Sequence, residues 1–467
     1  MRKACLLAGV AVVGLGLAWS PSESRAETLE QVLATTYESN PTLQARRARV
    51  RATDEGVPQA LSNWRPTVRF TGEVSRGRYE SNASANRETI RSPKTGTLTI
   101  SQPLYRGGRT VAETQQAEAT VLAERALLQS TEQTILLNAA TAFLNVARDE
   151  AVLQLNVNNE QVLRRQLEAA QERFRVGEIT RTDVSQAEAR LARAIADRVA
   201  AEGALQNSRA NFINIVGRAP ESPEAPREAV RVPASLDEIK STALAKNPTV
   251  VASEWTAQAA KDGIDLVRGE LLPTLSLNGE YGRNLATTGI GSESETLEAT
   301  LQLSVPLYEA GDTYSRVRAQ KHTYGQRRIE ADQARRDALE TATKGWEDLQ
   351  AARARIKSFE AQIKASEMAL AGVEEEAKVG SRTVLDVLDA EQELFDARVS
   401  LVRAQRDEMV AAFQVKSAVG EMTAQGLTLP VEVYDPVEHY EDVRGQWVGT
   451  GIDPAPGYEG FAPAKAE

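Results

Sequence analysis

Two short stretches carry acids and a guanidinium at spacings that could do chemistry. In Thr383-Val-Leu-Asp-Val-Leu-Asp389 the acids Asp386 and Asp389 stand three residues apart, on one face of any helix formed there, and Arg382 precedes Asp386 by four. Phe174-Arg-Val-Gly-Glu-Ile-Thr-Arg-Thr-Asp-Val-Ser-Gln-Ala-Glu188 repeats the pattern earlier, with Gly177 falling on Gly380, Asp183 on Asp386 and Ala187-Glu188 on Ala390-Glu391. Acids so placed can cap a helix or draw cations to a pore. Other chemistry has no foothold. The single cysteine, Cys5, lies in the leader, and His322 and His439 are far apart, so no catalytic residue, metal or cofactor is expected. Arg106-Gly107-Gly108-Arg109 lacks the spacing of a phosphate loop and reads as the start of a helix.

The two acids differ in their structural reasons. Thr180-x-x-Asp183 and Thr383-x-x-Asp386 both have the form of a capping box, in which the acid also meets the positive end of the helix. Asp389 has no such reason, because its counterpart in the first copy is Gln186; a solvated face and a pore carboxylate both remain open, and the asymmetry favours the pore. Arg382 and Asp386 could form a surface pair along one helix. Their Arg-first order is the weaker orientation, which favours a partner for Arg382 on another helix.

These stretches sit inside a duplication that covers nearly all of the chain. Leu29-Glu-Gln-Val and Asn40-Pro41 return as Leu236-Asp-Glu-Ile and Asn247-Pro248, Gln102-Pro-Leu-Tyr105 as Val305-Pro-Leu-Tyr308, and Val216-Gly217 as Val419-Gly420. The offset between copies shortens between Pro273 and Pro306, which places a shorter loop there. The resulting division is a signal peptide over 1–26, a first repeat over 27–218, a Pro-rich linker over 219–234, a second repeat over 235–425 and a partly disordered tail over 426–467. Arg2-Lys3, the apolar run to Trp19 and Ser24-Arg25-Ala26 carry the signal-peptide reading.

Each repeat reads as a short helix, an Asn-Pro helix start, and a second helix, about Pro41–Asn63 and Pro248–Leu272. Two alternating strands follow, about 66–77 and 95–105 in the first repeat and 273–283 and 296–307 in the second. Their length suits membrane-barrel strands of ~9–11 residues, although a half-buried sheet of a soluble domain has the same period. Four strands cannot close a barrel alone, since the smallest take about eight. Thr110 to Val176 lacks Pro and Gly and could form one helix of roughly 100 Å. The returning helices, about 180–216 and 382–419, are shorter; each is expected to stack end to end on a pre-strand helix to match the long one. Two apolar seams on the last helix, one through Leu385, Leu388, Phe395 and Val399 and one through Val387, Leu394, Ala397 and Leu401, imply a neighbour on each side.

The formal net charge is −10, and losing the leader makes the chain more acidic still, which disfavours nucleic acid and anionic lipid as partners. After the leader no run approaches the ~18 apolar residues of a membrane helix, so any span must be made of strands. Tyr105 and Tyr308, at the strand exits, suit either an interfacial belt or a core.

At the doubled turn the sequence resembles the TolC family of outer-membrane efflux and type I secretion ducts. Val379-Gly-Ser-Arg-Thr-Val-Leu-Asp-Val-Leu-Asp-Ala390 and Lys416-Ser-Ala-Val-Gly420 carry the likeness, which spans both repeats. The resemblance implies an α+β membrane protein: a homotrimer whose four strands per chain close a twelve-stranded β-barrel, continued by a long α-helical barrel through the periplasm. It implies a periplasmic adaptor, an inner-membrane ABC or proton-driven pump and outer-membrane lipid as partners. It places the turns at Gly177 and Gly380 at the periplasmic tip, Asp386 and Asp389 at the pore constriction, and Arg382, Thr182 and Asp183 among the contacts that gate it. The loops Tyr79–Pro93 and Leu285–Glu295 would face outside. Where the family prototype has a tyrosine that bonds the first turn, this chain has Ala377. The rival reading is a soluble periplasmic coiled-coil scaffold without channel activity.

Overall fold

The computed structural model describes residues 27–80, 88–221 and 231–451. The signal peptide, most of the linker, the middle of the Tyr79–Pro93 loop and residues 452–467 of the tail lie outside the described residues.

The first repeat opens with α1 (Leu29–Ser39), α2 (Pro41–Asp54) and α3 (Gly56–Ser62). The single helix expected over Pro41–Asn63 is therefore broken. Pro58 has no N–H to give the carbonyl of Asp54, and its ring crowds that carbonyl, so one helix ends there and another begins. The second repeat has no proline at that place, and α7 (Pro248–Arg268) runs on unbroken after α6 (Leu236–Lys246) into a single 3-10 turn, Gly269–Leu271.

Among the described residues six strands follow these two sets of helices: β1 (Thr67–Val74), β2 (Gly77–Glu80), β3 (Glu88–Arg91), β4 (Lys94–Arg106), β5 (Thr274–Leu285) and β6 (Glu293–Ser304). The β2–β3 hairpin was not expected; it takes the end of the first expected strand and part of the loop beyond it. The last strand stops at Ser304 rather than 307, ahead of Pro306, which cannot donate to a ladder. β4 instead passes its proline through a register shift between Pro103 and Tyr105.

The antiparallel order β1-β4-β5-β6 pairs the two repeats through β4 and β5 and leaves β1 and β6 as edges. In register, Phe70, Leu98, Tyr281 and Leu297 form one row across all four strands. This face is bare: Phe70 is 73% exposed and Leu297 86%. The opposite face is polar, with Ser101 Oγ donating to Asn278 Oδ1 at 2.7 Å and Asn278 Nδ2 to Gln302 Oε1 at 3.3 Å. Among the described residues no helix is long and apolar enough to cross a membrane.

The long helices are α4 (Arg109–Arg175) and α8 (Asp312–Lys378), both of 67 residues, and each is followed by a shorter returning helix, α5 (Arg181–Val216) and α9 (Val384–Ala418). The end-to-end stacking has a chemical splice. Asn40 caps α2 by accepting from the Thr42 and Leu43 amides, while its Nδ2 donates to the Ile215 carbonyl at the end of α5, 2.9 Å away. Asn247 does the same for α7 and α9, accepting from the Thr249 amide and donating to the Ala418 carbonyl at 3.1 Å. The result is four rods side by side, α5 with α2, then α4, then α9 with α7, then α8. Inner rods bury both sides, and α9 packs against both α8 and α4 as its two seams require. The outer rods do not: α8 buries one stripe, including Ala331, Ala338, Gly345 and Ala352, and leaves Ile329 and Met368 exposed, while α5 leaves Ile195 and Val199 exposed.

The sheet meets the rods where two turns interlock. Gly107, at φ 64°, lies so close to the α7 end that a Cβ there would fall 2.2 Å from the Gly269 carbonyl oxygen. The main core lies at mid-height, around Phe143, Leu136 and Phe212.

The segment after α9, which includes the start of the tail expected over 426–467, is largely irregular apart from one short helix but is folded back. Through residue 451 it is built onto the first repeat. Met422 and Leu429 enter the main core, and α10 (Glu438–Arg444) packs on α2 and α3. The Ala424 amide donates to Glu132 at 2.7 Å, and the Tyr434 amide to the Tyr37 hydroxyl at 3.0 Å. Arg47 lies between the Tyr37 and Tyr434 rings, 4.5 and 5.2 Å from their centroids.

Candidate functional site

Both tip turns are built from the same two devices. Gly177 and Gly380 take left-handed φ of 82° and 78°, a conformation that costs an L side chain about 1–2 kcal/mol. That lets the next amide turn back onto the helix just ended: Glu178 donates to the Arg173 carbonyl at 2.9 Å and Ser381 to the Glu376 carbonyl at 3.0 Å. A capping box then starts the returning helix. Asp183 Oδ2 accepts from the Thr180 amide at 2.9 Å, and Asp386 Oδ2 from the Thr383 amide at 2.8 Å, with each threonine hydroxyl accepting the acid's own amide.

These bonds settle what each acid is doing locally. The Thr383 amide and hydroxyl, helped by Arg382, hold the Asp386 carboxyl below the usual carboxylate range, so it stays charged at neutral pH. Arg382 itself donates to Glu376 Oε2 at 2.9 Å, which pulls its own pKa up. It therefore has a partner across the turn on α8, as its orientation suggested, but that partner is not in the first turn. Asp183 is held by Thr180, and Thr182 is exposed at the start of α5. Within one chain, then, the expected bonds between the two turns do not form. Each turn satisfies its own groups.

Asp389 is different. Its Oδ1 accepts from Arg190 Nη2 at 2.5 Å, an ion pair that bridges α5 and α9. A carboxylate so paired brings less net charge to a pore than an unpaired one. Arg190 was missed by sequence reasoning, although the repeat held the signal. Arg190 lies opposite Glu393 in the second copy, and Asp389 opposite Gln186 in the first, so the two departures from symmetry have opposite charge.

Glu391 was noted only as part of the repeat. It is 8% exposed, one oxygen accepting from Gln166 Nε2 at 3.1 Å and the other buried without a partner. Burial pushes its carboxyl up, the Gln166 bond opposes this, nearby Glu374 adds to it and Arg165 offsets part. It faces a groove of about 530 Å³ between α4, α8 and α9, lined also by Val162, Leu370, Leu394 and Phe395. Below, an apolar cluster of Leu163, Ala170, Ala187, Ala194 and Leu388 ties α4, α5 and α9 together.

A sheet with an apolar outer face and two open edges, continued by four parallel rods to a charged tip, is one segment of an α+β duct. Comparison with known proteins agrees. The family model described as "Outer membrane efflux protein" matches residues 32–218 and 239–421, one stretch in each repeat. The chain is 34% identical to the outer membrane efflux protein BepC of Brucella suis over 450 residues, spanning 96% of this chain and 97% of the relative. It is 28% identical to the outer membrane protein TolC of Vibrio cholerae, over 86% and 92%. The crystal structure of the outer membrane protein VceC from Vibrio cholerae superposes with a TM-score of 0.74 at 20% identity, covering 84% of this chain and 96% of that one. This chain belongs to the outer membrane efflux protein family, a family of transport channels of the outer membrane rather than of enzymes. The soluble scaffold considered from sequence finds no support among these relatives, and it would leave the Phe70–Leu297 row in water.

Proposed function

We propose that three copies of this chain close into one conduit, with β6 of each pairing to β1 of the next and α8 packing on the α5–α2 rod of its neighbour. The observation that carries this reading is the pair of matching open edges. The sheet is unpaired at β1 and β6, and the rods beneath are unpartnered on the same two sides, at α5 and α8. A closed barrel removes the edges that an open sheet leaves for aggregation. Twelve strands would put Phe70, Leu98, Tyr281 and Leu297 against lipid and Asn278, Thr300 and Gln302 in the lumen.

The conduit is passive and serves as the exit duct of a tripartite efflux or type I secretion system. Its tip takes a periplasmic adaptor and an inner-membrane pump, ABC-type or proton-driven. Asp386 and Asp389 from three copies would ring the narrow end, favouring cations and resisting anions until the tip dilates. Arg382, Thr182 and Asp183 do not meet within a chain, and they would form gating contacts between protomers by exchanging the bonds that Arg382 makes to Glu376 and Asp183 to Thr180. Cross-linking in intact cells between cysteines placed on β1 and β6 tests the assembly. The expected product is a ladder ending at three chains, and a protein that stays monomeric in detergent and membrane would contradict it.

A further inference from the structure

We infer that the end of the segment after α9, Gln446–Val448, is a strap that completes the seam between copies. Trp447, held on Arg65 at the base of β1, receives Tyr308 and the rest of the β6 exit from the adjoining copy. The inference rests on the proposed conduit and names a surface by which it closes.

The duplication contains an internal version of this seam. Gln102-Pro-Leu-Tyr105 at the end of β4 and Val305-Pro-Leu-Tyr308 after β6 are counterparts, as are Leu271-Leu-Pro-Thr274 before β5 and Trp64-Arg-Pro-Thr67 before β1. Within the chain the first exit is seated. β4 pairs with β5 down to Arg106 beside Thr274, and the turn that follows backs onto the α7 end, where a Cβ at Gly107 would also fall 2.8 Å from the Leu272 Cβ. The second exit is bare: Leu307 is 92% exposed and Tyr308 86%, against 45% and 46% for Leu104 and Tyr105. Its backbone is turned the same way nonetheless, with Ala310 and Gly311 at φ 50° and 85° where Gly107 and Gly108 have 64° and 76°. An exit already bent to its seat lacks only the surface, and the counterpart of that surface is the base of β1 in the next copy.

The base of β1 differs from that of β5 in two ways, and the strap answers both. Where Leu272 offers an apolar side chain, Arg65 offers a cation. Where Gly269 lets the turn come close, Ser62 stands, and Ala310 in place of Gly107 adds a Cβ from the other side, so the joint between copies must be wider. Trp447 lies over Arg65, its ring centroid 4.7 Å from the guanidinium carbon, and Arg65 Nη1 donates to the Gln446 carbonyl at 2.7 Å. The ring thereby covers the cation and turns a broad apolar surface outward, 67% exposed, with exposed Val448 beside it. Carried over by the repeat, the in-chain partners Tyr105–Leu275 and Ser101–Asn278 become Tyr308 beside Val68 and Ser304 beside Thr71 of the next copy. That register sets Ser304 and Thr71 together on the polar face and brings Tyr308 down to the level of Arg65 and its tryptophan.

Cross-linking of the full chain in intact cells with a short thiol–thiol reagent tests this with two cysteine pairs. Ser304→Cys with Thr71→Cys reports the seam and its register, and Tyr308→Cys with Trp447→Cys reports the strap; each should give a ladder ending at three chains. A double-mutant cycle on the heat stability of the trimer in detergent then asks whether the contact matters. Trp447→Ala and Tyr308→Ala should each lower the dissociation temperature, Trp447→Phe should keep most of it, and the double alanine change should fall little further than either single one. Trimers that stay unlinked at either pair, or alanine changes that add in full, would overturn the strap's role. A chain that links at neither pair and stays monomeric contradicts the conduit itself, and the inference falls with it.

Discussion

At the level of single residues the tip separates fold-forming from function-bearing groups. Thr383→Ala removes the cap acceptor of α9 and should lower stability by about 1 kcal/mol in urea unfolding, leaving ion selectivity unchanged. Asp386→Asn keeps an acceptor for the Thr383 amide but loses the charge, so selectivity for cations should fall with little loss of stability. Opposite outcomes would exchange the two roles. Glu391 adds a pH dependence. Its folded carboxyl, raised by burial above the ordinary 4.5, holds a proton more tightly than the unfolded chain does. The cost of burying its charge is thus fully present above the folded pKa and fades as pH falls toward 4.5. The protection factor at the start of α9, with the intrinsic pH dependence of amide exchange divided out, should rise from pH 7.5 to pH 5, and in Glu391→Gln it should be high at both; an unchanged pH response in that variant would clear Glu391 of the effect. The acids and the turns were legible in the sequence because capping boxes are local. Arg190 and the burial of Glu391 were not, since both depend on which helix lies alongside.

At the level of elements the sequence was most informative where the period is long. The glycine- and proline-free run marked α4 to within a residue or so of each end, and alternation marked all four strands of the main sheet. The break between α2 and α3 escaped because Pro58 was read as lying within a continuous helix, when its missing N–H falls where the Asp54 carbonyl needs it. The folded segment after α9 escaped for another reason. It is held by isolated aromatic, cationic and backbone contacts such as Tyr434 on Arg47, which leave no period to find. The asparagine splice explains how unequal helices make equal rods, and it can be measured. Asn40→Ala loses the cap of α2 and the tie to α5, and should cost about 1–2 kcal/mol of stability in chemical denaturation. Asn40→Asp keeps the cap and loses only the donor to Ile215, so it should fall in between. Equal effects of the two changes would show that the tie contributes nothing.

At the level of the whole molecule the chain makes sense only as a part. The sheet is apolar outward and open at both edges, the outer rods are half-partnered, and the tip is charged. Each feature is unfavourable in an isolated soluble monomer and favourable in a closed, membrane-inserted ring. Leu301→Arg puts a charge on the lipid-facing side and should cost about 2–4 kcal/mol if it lies near the bilayer midplane, seen as loss of heat-stable assembly in the outer membrane. The same change on a merely wet surface would be silent. The closing of the ring could not be read from one sequence beyond the count of strands, because the partner surfaces are on other copies. The most direct measurement is therefore the ion current through the purified protein in a planar bilayer. The account predicts discrete, cation-selective steps from trimers, with selectivity that falls in Asp386→Asn; folded trimers that carry no current, or pass anions in preference, would contradict it.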